Sequence, residues 1–316
     1  MDKQFDIIMA MDTCVDLLLD CGMVKPAYGQ AEQLIKGYRM ELGGSLGIFA
    51  CGTSKLGLRV AGSGVVGTDF YGEFVKRTLQ KNGVCVDYIC SEEDVQTGLG
   101  VSLCLDTHDR SILTYSGSIE LVEGRHFPKE LLAVSRHIHV GSYFLTKKLQ
   151  SDYVEILKTA KKYNTTVSVD TNWDPDENWD SGLHEVLKYT DIFLPNIHEA
   201  MAITGQTDPD PAMKMLSEMV PVVVLKEGAL GARAYHNGKV IHAVSMEVQV
   251  VDTVGAGDNF DAGFIYGYLN GKSIEECLQL GCICGSYSTR YAGGIKGQLH
   301  QDELAKIYAE VYLVSR

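Results

Sequence analysis

The chain has 316 residues, 45% of them hydrophobic and 22% charged, which is enough apolar material for a large core. Its 41 acidic and 28 basic residues leave a net charge of −13, and no Lys/Arg run is long enough to track a phosphate backbone. No nucleic-acid partner is therefore expected. Nine cysteines, an odd number without a Cys-x-x-Cys pair, argue against a disulfide framework and for buried thiols in a reducing compartment.

The opening residues lack the basic start and long apolar run of a signal peptide. No apolar stretch approaches the roughly 18 residues of a membrane span. A cytoplasmic protein without a membrane partner is the expectation.

In chain order, strand-like runs are predicted at Phe5–Met11, Val60–Val66, His137–Gly141, Thr166–Asp170, Ile192–Pro195, Val220–Leu225 and Val248–Val251. Between them, helical patterns occupy Tyr71–Asn82, Asp152–Tyr163, His184–Tyr189, Pro211–Glu218 and Asn259–Asn270. This alternation predicts an α/β fold with a mostly parallel sheet and helices on both faces. Two β-rich stretches interrupt it, residues 12–40 and about 95–118. The second reads as a hairpin turning at Thr107–Arg110. Together they predict a small sheet set as a lid on one domain spanning residues 1–316.

The segment Asp252-Thr-Val-Gly255-Ala-Gly257-Asp258 follows an expected strand and precedes an expected helix starting near Asp258. A helix start presents unpaired N–H groups to an anion. The small residues Gly255, Ala256 and Gly257 would let phosphate oxygens reach the backbone. Phosphoryl transfer needs little more than positioning, charge neutralisation and a carboxylate to take the acceptor's proton. Asp258 stands where it could be that carboxylate, or simply a helix N-cap.

The longer string through Ala262-Gly263-Phe264 resembles the C-terminal signature of the PfkB (ribokinase-like) carbohydrate kinases: Asp-Thr-x-Gly-Ala-Gly-Asp, three residues, then small-Gly-apolar. No Walker A loop competes with it, no Gly-x-Gly-x-x-Gly follows the first strand, and Ala202 breaks an HExxH site at His198-Glu199. The resemblance extends over nearly the whole chain. It implies a ribokinase-like three-layer sandwich with a β lid, using ATP, Mg2+ and, through carbonyls near Asp252 and Val254, K+.

It further implies that Asp258 is the base and that Gly255, Ala256 and Gly257 form the anion hole. Asp16, Gly43 and Gly44 would then meet the acceptor. Asn172, Asn196, Glu199, Lys226, Gly228, Gly231, Thr253, Gly255 and Gly257 would meet the nucleotide, with Glu199 serving Mg2+ through water. Lys226, after a strand, could instead be an exposed and inert lysine. Asp69 and Gly72 could be ordinary turn residues.

Two positions depart from the pattern. Ile48 stands where the family usually has Asn, and Asp174 where Arg is frequent. Asp174 would repel an acidic acceptor, so a neutral sugar is the expected substrate. A nucleoside or sugar phosphate is the alternative, and a ligand-binding relative without catalysis a third. An exposed lid sheet also predicts a homodimer formed through it.

Overall fold

The computed structural model describes residues 3–107 and 109–313; His108, in the expected hairpin turn, lies outside them. After β1 (Phe5–Ala10) come β2 (Cys14–Gly22), β3 (Gly37–Gly43), α1 (Ser45–Lys55), β4 (Val60–Gly67), α2 (Phe70–Lys81) and β5 (Cys85–Glu92). The hairpin β6 (Gly98–Leu105) and β7 (Arg110–Tyr115) follows, then α3 (Glu130–Ala133), β8 (Ser135–Val140), α4 (Gln150–Lys162) and β9 (Thr166–Val169). Next are α5 (Leu183–Leu187), β10 (Ile192–Phe193), α6 (Ile197–Thr204), α7 (Pro209–Ser217) and β11 (Val222–Lys226). The chain ends with β12 (Ala232–His236), β13 (Lys239–Ala243), α8 (Ala256–Leu269), α9 (Ile274–Ser288) and α10 (Gln301–Tyr308).

Among the described residues, nine strands form one sheet in the order β13-β12-β11-β10-β9-β8-β1-β4-β5. It is parallel from β5 to β11 and antiparallel at β12 and β13. Alternation along each strand feeds two cores. Ile8, Val223 and Leu225 pack with α4 to α7 on one face, while Ile7, Met9, Val222 and Val224 pack with α1, α2, α8 and α9 on the other. These are the three layers the sequence predicts, and they arise because strands buried on both faces are apolar along most of their length. No helix among the described residues is long and apolar enough to cross a membrane.

The lid stretches form a separate four-stranded sheet, β3-β2-β6-β7, with β2 and β6 parallel and both outer pairs antiparallel. One predicted strand is absent: residues 244–250 are irregular, and Val250 and Val251 are exposed. No neighbouring strand offers them a ladder, and Val248 and Val250 instead line a cavity. Alternation alone cannot distinguish a strand from one wall of a cleft. Helix α8 also begins earlier than predicted, at Ala256, which makes Asp258 its third residue.

Candidate active site

The strand order reverses around β1, which lies between β4 and β8. In parallel sheets such a point leaves a crevice at the carboxyl ends of the strands. Here Asp12 follows β1, Ser142 follows β8, Asp170 and Asn172 follow β9, Asn196 follows β10, and Lys226 ends β11. The N-termini of α1 and α8 reach the same place, because Ser45, the first residue of α1, donates a hydrogen bond from Oγ to Asp258 Oδ1.

Asn172 Nδ2 donates to Ser45 Oγ at 3.1 Å, and the Ser45 and Leu46 amides donate to Asp12 at 3.0 and 2.9 Å. Asp12 also receives the Ser142 hydroxyl at 2.5 Å. Asp258 is thus held by Ser45 of α1, which Asn172 in turn fixes from the loop after β9. Burial pushes its carboxyl up to about 7; Asp170 and Asp12 add to the rise, while Ser45 and Lys226 oppose it. A carboxyl poised there can hold or release a proton near neutral pH.

Gly255 caps α8 with φ of 71°, a left-handed value that suits glycine. A β-carbon there would lie 3.0 Å from Gly294 Cα and from Ile48 Cδ1. Ile48 is accordingly a buried packing residue under the turn. The Ala256 amide donates to Thr253 O at 3.2 Å, whereas Gly255, Gly257 and Asp258 amides have no acceptor among the described residues. Two of the three expected anion-hole amides are open, and the Asp258 amide joins them.

Lys226 is not the exposed lysine that its position after a strand allowed for. Its side chain is only 12% exposed, and its ammonium lies 2.7 Å from Asp170 Oδ2 and 3.3 Å from both oxygens of Asp261. The charged partners hold a full positive charge that burial opposes, so its pKa is raised. Asp170 is held below the ordinary carboxylate range because Lys226 outweighs the cost of burying it.

Asn196 and Glu199 form a reciprocal cap on α6: the Glu199 amide donates to Asn196 Oδ1 at 3.0 Å, and the Asn196 amide to Glu199 Oε2 at 2.8 Å. Burial, reinforced by Asp170, pushes Glu199 up to about 7.

A cavity of about 490 Å3 opens from this point, with Lys226, Gly228, Gly231, Thr253, Ala256, Gly257, Val248, Cys282 and Ser286 among its lining residues. Its size and apolar walls suit a nucleotide-sized ligand. The phosphate end of such a ligand would meet the open amides of α8.

On the lid side, Asp16 faces Glu41 on β3 and Gly100 on β6. A β-carbon on Gly43 would sit 2.6 Å from the Asp16 carboxyl, so the glycine makes room for it. Gly44 caps α1. Burial, with Asp12 adding to it, pushes Asp16 up to about 6. Two lid arginines approach the loop before α8: Arg39 Nη2 is 3.8 Å and Arg110 Nη1 3.6 Å from Asp252. The Val254 and Gly293 amides both donate to Asp252 at 3.0 Å, joining the turn to the segment after α9.

One expected role changes. Asp174 is buried, 2% exposed, and accepts from the amides of Asp176, Asn178 and Trp179, so it organises its own loop and presents no charge to an acceptor. Asp69 caps α2 through the Gly72 amide and also binds Thr97, a structural role. Sequence reasoning missed Asp12, Ser45, Asp170 and Asp261. Asp170 closes a predicted strand and Asp261 lies within the quoted signature, but nothing local marks them as a lysine's partners; only the packing of α8 on the sheet brings them together.

Among the described residues no three His, Cys, Asp or Glu side chains cluster to hold a metal. The residues present fit a Mg2+ carried mainly by phosphate oxygens and water, since the nearest carboxylate of the family motif, Glu199, is buried and caps α6.

The pattern of the pfkB family carbohydrate kinases matches residues 9–301. The chain is 26% identical to an ATP-dependent 6-phosphofructokinase of Thermoanaerobacterium thermosaccharolyticum, over 97% of this chain and 95% of that one. It is equally 26% identical to a 5-dehydro-2-deoxygluconokinase of Bacillus subtilis, over 90% of both. Its fold is similar to that of an Arabidopsis thaliana ribokinase solved with ribose and ATP, with a TM-score of 0.83 at 23% identity over 97% of this chain and 99% of that one. A glycine-capped α8 carrying Asp258, at the switch point of a ribokinase-like sheet, is thus the local form of a likeness that runs the length of the chain, which belongs to the pfkB family of carbohydrate kinases, enzymes that transfer a phosphoryl group.

Proposed function

We propose that the protein transfers the γ-phosphate of MgATP to a hydroxyl of a neutral sugar, with Asp258 as general base. One observation carries this reading. A carboxyl poised near neutrality sits among the open amides of α8, beside a nucleotide-sized cavity, and already accepts a hydrogen bond from a hydroxyl, that of Ser45.

In the reaction, Asp258 takes the proton of the acceptor hydroxyl as its oxygen bonds to the γ-phosphorus. The bond from that phosphorus to the β–γ bridging oxygen breaks, and ADP leaves with the electron pair. The Gly255, Gly257 and Asp258 amides and Lys226 face the charge that develops, and the Ala256 amide joins them by giving up Thr253. Asn172 holds Ser45, and thereby the base, in place. Mg2+, when bound, neutralises phosphate charge. The carbonyls of Asp252 and Val254 would hold K+ between the turn and the segment after α9; equal rates in KCl and NaCl would remove this site.

A neutral acceptor is favoured because Asp16, Glu41 and Asp258 crowd the acceptor side, and an added anion would meet all three. A second reading, an acceptor carrying a phosphate or carboxylate, is favoured by Arg39 and Arg110 and by the names of the two relatives. An ADP-release assay with ribose, fructose, fructose 6-phosphate, 5-dehydro-2-deoxygluconate and adenosine separates them. Turnover of ribose or fructose is expected. Turnover confined to the charged sugars, or to adenosine, would overturn the neutral assignment.

The outer lid strands present Tyr38, Ile112, Leu113 and Tyr115, each more than half exposed. A second copy of the lid would cover them. Sedimentation as a monomer at micromolar concentration would exclude that dimer.

A further inference from the structure

Lys226 has two carboxyl partners in a buried place, and a neutral pocket needs only one. Asp170 touches the ammonium at 2.7 Å, while Asp261 lies 3.3 Å away with both oxygens side-on. Their side chains are 4% and 1% exposed, so neither charge is shared with bulk water. Burial, reinforced by the neighbouring Asp170, pushes Asp261 well above the ordinary carboxylate range although Lys226 opposes it. Two buried carboxyls facing one ammonium therefore favour a proton on one of them. The proton belongs on Asp261, the partner farther from the ammonium, because the closer carboxylate gains more from ionising.

Asp261 lies one helical turn after Asp258 on α8. The ammonium has three N–H donors, of which Asp170 takes one and Asp261 another. The third is left at the cavity wall, where Lys226 lines the pocket beside Gly257; a β-carbon on Gly257 would lie 3.5 Å from Nζ.

We propose that Asp261 is a positioning residue, a neutral acid that bridges Lys226 and Asp170 and aims the remaining N–H of Lys226 at the terminal phosphoryl group of the nucleotide. The unit of ammonium, carboxylate and carboxylic acid is neutral. An ionised Asp261 would place a net negative charge under the anion hole and repel the phosphates. This inference rests on the nucleotide reading of the cavity and goes beyond it by giving a second carboxyl of the signature helix a task distinct from that of Asp258.

The test needs no acceptor. MgATP and MgADP are titrated calorimetrically into the wild-type chain and into Lys226→Met, Asp261→Ala and Asp261→Asn. Lys226→Met and Asp261→Ala are each expected to weaken MgATP binding about tenfold, the worth of one charge-assisted hydrogen bond, while MgADP affinity changes far less. Asp261→Asn, which mimics the neutral acid, restores most of the preference for MgATP. A preference for MgATP that survives Asp261→Ala overturns the proposal. So does an Asp261→Asn variant that loses the preference as fully as Lys226→Met, a comparison that decides the matter even where Asp261→Ala fails to fold. A wild-type chain that binds neither nucleotide sinks the reading beneath it as well.

Discussion

At the phosphoryl end, the working groups hang from the buried body of the molecule. Lys226 closes a central strand, Asp170 follows its neighbour but one, and Asp258 and Asp261 stand one turn apart on a helix packed tightly against α9. At the acceptor end, Asp16, Glu41, Arg39 and Arg110 hang from a four-stranded lid whose outermost strand, β7, is exposed along its whole length. The first region presents groups that cannot move without opening a core. The second holds its charges through ion pairs of 3.6 to 3.8 Å to a loop of the body. A phosphoryl group is the same in every reaction of this kind and rewards a rigid mould. An acceptor must enter and leave, which favours a movable cover.

The largest expected effect lies in the rigid half. Asp258→Asn should lower kcat about a thousandfold, the usual scale for removing a general base. If Asp258 is that base, the wild-type kcat/KM for the acceptor rises with pH through about 7, where the carboxyl gives up its proton. Stability has the opposite sign. A carboxyl whose folded pKa rises from 3.8 to about 7 favours folding at acid pH, and that contribution is lost as pH rises through this window. Asp258→Asn should therefore melt higher than wild type at pH 8. Kinetics that ignore this substitution would dissolve the contrast between the two halves.

A smaller effect probes the lid. Gly43→Ala drives a methyl group into the Asp16 carboxyl. It should raise the acceptor KM about tenfold with little change in the KM for MgATP, since a small misplacement of a positioning group is costly. A parallel rise in both constants would show that lid and body act as one rigid unit. The smallest effect is expected from Arg110→Ala. With a neutral acceptor its loose ion pair is worth less than about fivefold in KM. A loss of about tenfold or more, growing at low salt, would show that the lid arginines bind an anionic acceptor.

Much of the phosphoryl end is legible in the residue order, because its parts are local. A glycine turn, a helix start and a carboxylate three residues in need only a short segment. Asn196, Glu199, Asp16 and Gly43 entered through the family resemblance; that the first two cap α6 and that Gly43 makes room for Asp16 on a neighbouring strand was visible only in the structure. Asp174 was misjudged because its type was visible and its direction was not; three amides of its own loop take its carboxylate. Lys226 was ambiguous for the same reason, since a lysine after a strand is buried only if something pairs with it.

The sequence by itself determined the alternating sandwich, the lid stretches and the Asp252–Asp258 segment, because strand period, helix period and tight turns are written in neighbouring residues. Only the tertiary structure decided that Val248–Val251 walls a cleft, that Ser45 and Asn172 hold Asp258, and that Asp170 and Asp261 share one lysine. Those contacts join residues as many as 213 positions apart, and a short window of residues carries no trace of which distant side chain will complete a buried charge.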